Sequence, residues 1–119
     1  MVDEMKNKFQ EKLKFESKNL LFNLIFLALT VLVVVTLYKN NLLTFILLVI
    51  VALIGLLKWK SDITLVTFVC AGVIGPLLES LSISSGAWSY SFPNLINFPV
   101  WLPILWGSAG AFIYQTAKE

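Results

Sequence analysis

Histidine and arginine are absent from this 119-residue chain, and its single cysteine, Cys70, has no second thiol to pair with. These gaps exclude an intrachain disulfide and remove the usual ligands of zinc, haem and iron–sulfur centres, so no metal and no cofactor is expected. Charge is scarce too: 13% of the residues carry one, against roughly a quarter in soluble domains. All the basic residues are lysine, and a dispersed net charge of +2 offers no surface for nucleic acid. What remains is apolar, 58% of the chain. A soluble fold of this length has too much surface for its volume to hide that fraction, so lipid or other subunits must cover it.

Residues 20–38 form an uncharged, mostly aliphatic run, long enough as a helix to cross a hydrocarbon core of roughly 30 Å. Asp3, Glu4, Glu11 and Glu16 precede it and no small-residue cleavage site follows, which reads as a retained anchor rather than a signal peptide. A second run, 42–57, ends at Lys58-Trp59-Lys60 and forms a hairpin with the first. Tyr38 and Trp59 stand where aromatic rings anchor at the headgroup level. Two more spans fit the rest of the chain, at about 63–78, capped by Ser61 or Asp62, and at about 99–116, with Pro99 near the first turn.

Orientation follows from the lysines. Lys6, Lys8, Lys12, Lys14 and Lys18 precede the first span, Lys58 and Lys60 separate the second from the third, Lys118 follows the fourth, and Lys39 alone falls on the other side. The positive-inside rule then puts both termini in the cytoplasm and residues 80–98 outside. The expectation is an all-α, multi-pass protein of the cell membrane, a bundle of four transmembrane helices over residues 20–119. Residues 1–19 place Val2, Met5, Phe9 and Leu13 near one side of a helix, although Lys12 and Glu16 narrow the stripe. They read either as an interfacial helix or as a solvated extension of the first span.

The first hairpin is aliphatic all round and serves as scaffold, with Asn23 and Thr30 as candidates for bonds between helices. Cys70, within an apolar run, reads as a small packing residue. The second half concentrates small residues at helical spacing: Ala71 with Gly75, and Gly107 with Ala111, let backbones approach closely. The third and fourth helices are expected to pack on each other, or on a second copy, through these faces. Pro76 frees the carbonyl of Gly72 and should bend the third helix. Just beyond it lies Glu79, the only carboxylate between Ile63 and Ala117. It is either solvated at the outer end of the span or turned into the bundle, where desolvation would raise its pKa.

Residues 80–98 mix six serines with Trp88, Tyr90 and aliphatic side chains, too apolar for a free loop. The segment either dips back into the membrane or forms an interfacial belt. Glu79, then Gly86-Ala87-Trp88-Ser89-Tyr90, then Pro99-Val100-Trp101-Leu102-Pro103-Ile104-Leu105-Trp106-Gly107 together resemble the glutamate, Gly-x-aromatic-x-Tyr and Pro-rich tryptophan pattern of carotenoid-biosynthesis membrane proteins, the carotenoid hydratase and related families. The resemblance covers roughly the last 45 residues. It implies an isoprenoid or other long apolar substrate, with Glu79 as proton donor and Tyr90 as an orienting hydroxyl; the absent histidines and second carboxylate depart from acid–base chemistry, which needs a matched partner.

No motif names a reaction. A lipid-binding or lipid-processing protein predicts an apolar cavity between the third and fourth helices, roofed by Trp88, Tyr90 and Trp101, with Glu79 at its mouth; Trp106 is a further candidate ligand-binding residue. A transporter or channel would need a homo-oligomer, since four spans are too few to enclose a path. An accessory subunit would dock on another membrane protein through the Gly and Ala faces. Membrane lipid is the partner common to all three.

Overall fold

The computed structural model describes residues 1–90 and 92–118, and of residues 12–17 only the helical backbone. Among these residues the chain is all-helical, with four helices: α1 Val2–Leu37, α2 Asn41–Trp59, α3 Asp62–Ser84 and α4 Leu102–Lys118. Three segments are long and apolar enough to cross a membrane, Lys18–Leu37, Asn41–Trp59 and Asp62–Ser84. Helices suit this composition because every backbone donor and acceptor is then satisfied within its own segment, without water.

The links between the first three helices are short, so neighbours run antiparallel. Asn40 caps α2 by accepting the Leu43 N–H at 3.1 Å, and the Thr44 hydroxyl lies within hydrogen-bond reach of the carbonyls of Asn40 and Leu37. At α3 the cap is Ser61, which accepts the Thr64 N–H at 3.2 Å, while Asp62 sits in the first turn, where its charge suits the helix dipole. α1 is unbroken over 36 residues, roughly 54 Å, within a molecule 62 Å long. Its charged N-terminal turns therefore continue the first span, with Val2, Met5 and Phe9 exposed; the side chains of Lys12, Leu13 and Glu16 lie outside the described residues.

α4 begins at Leu102, three residues later than expected from Pro99. Pro99 instead opens a turn: its carbonyl accepts the Leu102 N–H at 3.0 Å, and the Asn94 side chain accepts the Val100 N–H at 2.7 Å. Pro103 takes the second helical position, where a missing N–H forfeits no helical bond.

This shortest helix is the centre of the bundle. It packs against α1, α2 and, most extensively, α3, whereas α1 and α3 make no close approach among the described residues. The α3–α4 seam depends on missing side chains. A Cβ on Gly72 would lie 2.9 Å from the Pro103 carbonyl oxygen, on Gly107 2.8 Å from that of Phe68, and on Gly110 2.6 Å from the Ala71 Cβ. Gly75 lies under the Trp106 ring, Pro76 is buried within α3, and Ala111 is fully buried. These small-residue faces therefore meet one another within the chain.

Buried and exposed faces invert the rule for soluble proteins. Asn23, Thr30, Thr44, Thr64, Ser108 and Gln115 are buried, while long rows of Leu, Ile and Val lie exposed, as expected where lipid is the solvent. At the lysine-rich end, Asn23 accepts the Trp59 indole N–H at 2.8 Å and donates to Thr116 at 3.2 Å, and Thr64 donates to Gln115 at 2.8 Å. Trp59 is thus turned into the bundle rather than only anchoring at its rim. Thr30, expected to bond between helices, instead donates to the Phe26 carbonyl of its own helix at 2.8 Å. Cys70 corrects a second expectation: it is exposed on α3 beside Val69, Val66 and Val73, on the helix face away from α4, and packs nothing inside.

Candidate functional site

Three aromatic and acidic side chains from separate parts of the sequence meet at the other end of the bundle. Glu79 lies three residues past Pro76 on α3. The chain then leaves α3 through Gly86, whose φ of +90° glycine adopts without a Cβ penalty, and comes back to present Tyr90. The Tyr90 hydroxyl is 3.0 and 3.1 Å from the two Glu79 carboxylate oxygens, and the Trp106 indole N–H donates to Oε2 at 2.6 Å. Trp106 reaches that position because Gly75 has no side chain to displace its ring.

A second set of contacts holds Tyr90. Its ring meets Trp101 edge-on, with centroids 6.2 Å apart. The Trp101 indole donates to Asn41 on α2 at 3.1 Å, and Asn41 donates to the Phe92 carbonyl at 2.8 Å. Phe98, Trp101, Leu102 and Leu48 form the apolar cluster beneath. Burial first, and then the hydrogen bond and negative charge of Glu79, raise the Tyr90 phenol above its ordinary value, so it remains a protonated donor. Farther along, residues 95–98 close a small turn with Ile96 at φ +52° and 81% exposed, while Asn97 ties it to α3 through the Ser80 carbonyl at 3.1 Å. The segment between α3 and α4 is therefore divided: Trp88, Ser89 and residues 92–96 lie at the surface, and Phe98, Pro99 and Trp101 are buried.

Glu79, Tyr90 and Trp106 border a cavity of about 350 Å³. Its other walls are Phe26, Leu27, Thr30 and Val31 of α1, and Leu102, Leu105, Ser108 and Ala109 of α4. The space exists because α4 holds α1 and α3 apart. The Ser108 hydroxyl is buried, at 1% residue exposure, with no hydrogen-bond partner. A second cavity of about 400 Å³ continues along α1, lined by Val34, Val35, Tyr38, Phe92, Pro99 and Trp101, and Tyr90 stands in the wall of both.

Three of the five expected ligand-binding side chains, Glu79, Tyr90 and Trp106, thus meet at one cavity. Trp101 stands behind Tyr90 in the second, and Trp88, 46% exposed, lines neither. The cavity is not between α3 and α4, as expected, because the glycine seam closes that space; it opens on the α1 side instead. The sequence offers the first hairpin only as scaffold and does not single out Ser108, yet both contribute to this wall. One signal points to the inner face of α1: Asn23, Phe26 and Thr30 recur at helical spacing and are the buried positions among the described side chains of that helix.

Chemically, the arrangement offers one carboxylate with two fixed donors and one buried hydroxyl in an apolar setting. Among the described residues that line the cavity, the ionisable groups are Glu79 and the Tyr90 phenol that donates to it. Compared with known protein families, curated proteins and solved structures, the chain matches none.

Proposed function

We propose that this chain is a four-span protein of the cell membrane, with both termini cytoplasmic, that binds a long apolar molecule bearing one polar donor group near the outer face. The observation that carries this reading is the Glu79 carboxylate, fixed by Tyr90 and Trp106 at the edge of an apolar cavity whose wall contains the unpartnered Ser108 hydroxyl. A carboxylate at membrane depth is tolerated when donors face it, and its remaining acceptor capacity suits a ligand O–H or N–H. An unpartnered buried hydroxyl costs about 1–3 kcal/mol, which a ligand oxygen would relieve. The two cavities on either side of Tyr90 follow α1 from Phe26 to Tyr38, roughly 18 Å at helical rise. That shape suits an extended chain. The isoprenoid class within this description rests on the C-terminal resemblance alone.

The lysine distribution supports the orientation. The central position of α4 explains how a 17-residue helix serves as the fourth span: the turn at Pro99 extends it, and its neighbours shield it from lipid.

Native mass spectrometry of the full chain from mild detergent tests the binding reading. The wild type should retain about one apolar molecule per chain, and Glu79→Gln and Ser108→Ala should each reduce that occupancy severalfold. Unchanged ligand content in both variants would end the proposal.

A further inference from the structure

At the opposite, lysine-rich end lies a recess of about 420 Å³ that the outer site does not involve. It is lined by Asn19, Phe22 and Asn23 of α1, Lys58 and Trp59 of α2, and Gln115 and Lys118 of α4. Two ammonium groups share it, and its described lining residues include no carboxylate. Its floor is polar and ordered: Asn23 and Gln115 are 1% and 5% exposed, held by the bonds to Trp59, Thr116 and Thr64. The rings of Phe22 and Trp59 meet edge-on at 6.0 Å, and the Lys58 ammonium lies 5.9 Å from the Phe22 centroid, which directs that charge across the recess.

We infer that this recess is a binding site for a phosphate-bearing anion, with the headgroup of an anionic lipid as its source. Lys58 and Lys118 supply the charge, the amide floor the polar surface, and Phe22 and Trp59 the apolar rim along which acyl chains descend. Each lysine also closes a helix C-terminus, where the dipole by itself favours a cation. The dipole does not explain why both face one recess floored by buried amides. Its level supports a lipid source, because Asn19 and Trp59 mark the first and last turns of two candidate spans, the depth at which phosphates lie. The inference rests on the membrane reading but not on the ligand of the outer cavity.

The test uses the full chain in nanodiscs of phosphatidylcholine with rising phosphatidylglycerol, scored by retained lipid in native mass spectrometry and by the thermal unfolding midpoint. Wild type should bind phosphatidylglycerol in preference to phosphatidylcholine. Lys58→Gln with Lys118→Gln should weaken that preference about thirtyfold, as expected for two lysines at a charged surface, while Lys58→Arg with Lys118→Arg keeps most of it. Lys6→Gln with Lys8→Gln, on the exposed turns of α1, should leave it unchanged. A parallel titration with inorganic phosphate separates the sources: binding that depends on the same two lysines identifies a free anion, and its absence beside lipid binding identifies the headgroup. Preference retained in the Lys58 and Lys118 glutamine variant, or lost equally in the Lys6 and Lys8 variant, overturns the site. A general loss of stability would lower the midpoint in phosphatidylcholine as well, so a midpoint that falls equally in both lipids also counts against it.

Discussion

Adding a single methyl group at Gly75 should remove a donor from Glu79 without unfolding the bundle. A Cβ at that position would lie 2.2, 2.4 and 2.5 Å from three Trp106 ring carbons, about 1 Å inside an ordinary carbon–carbon contact of roughly 3.5 Å. The obstacle is a side chain, and Trp106 is 37% exposed, so the ring can swing towards lipid. Its indole then leaves Glu79 Oε2. A hydrogen bond to a charged group is worth about 1.5–3 kcal/mol, and the partial exposure of Trp106 favours the lower end. Ligand retention in Gly75→Ala should therefore fall about tenfold, since about 1.4 kcal/mol is a factor of ten. Gly110→Ala is the control. Its Cβ would lie 2.6 Å from that of Ala71, and neither helix has a flexible group there to move aside. The helices must separate, at about 1–3 kcal/mol, one helical turn beyond Trp106 and without a clash against its ring. Native mass spectrometry reports ligand per folded chain, and thermal unfolding in the same detergent reports stability. Gly75→Ala should affect the first more than the second, and Gly110→Ala the reverse. Ligand occupancy in Gly75→Ala equal to wild type, or lost as heavily in Gly110→Ala, would refute the link from Gly75 through Trp106 to Glu79.

Tyr90 should ionise above the ordinary tyrosine range in an absorbance titration of wild type against Tyr90→Phe. Because its folded pKa is raised above the ordinary 10.0, its contribution to stability is complete below about pH 10 and is lost as pH rises beyond it; Tyr90→Phe should remove that part of the alkaline loss. Asn23→Leu strands the Trp59 indole and the Thr116 hydroxyl and should cost about 1 kcal/mol, typical for interhelical bonds in membranes, seen as a lower unfolding midpoint. Cys70, exposed among aliphatic side chains, should react in membranes with an apolar maleimide and resist a charged one; equal reaction with both would place it in water.

The sequence by itself determined the elements and their order. Lipid offers the backbone no hydrogen bonds, so an uncharged run as long as residues 20–38 has to be a helix, and Ser61 or Asp62 marks where the third helix begins. The glycine and alanine spacing of the second half likewise marked faces for close packing, on each other or on a second copy, because close backbone approach requires small residues wherever it occurs. Glu79, Tyr90 and Trp106 were identifiable as polar exceptions in an apolar stretch.

Tertiary structure alone decided what those exceptions meet. In a chain apolar on every face, periodicity cannot tell which side of a helix faces lipid and which faces a neighbour, so the outward position of Cys70 and the inward turn of Trp59 were not legible. Nor was the location of the cavity. It follows from α4 lying at the centre and holding α1 away from α3, a consequence of how four similar helices share contacts. The two recesses, one under Glu79 and one between Lys58 and Lys118, exist only because residues far apart in the chain are brought together at opposite ends of that central helix.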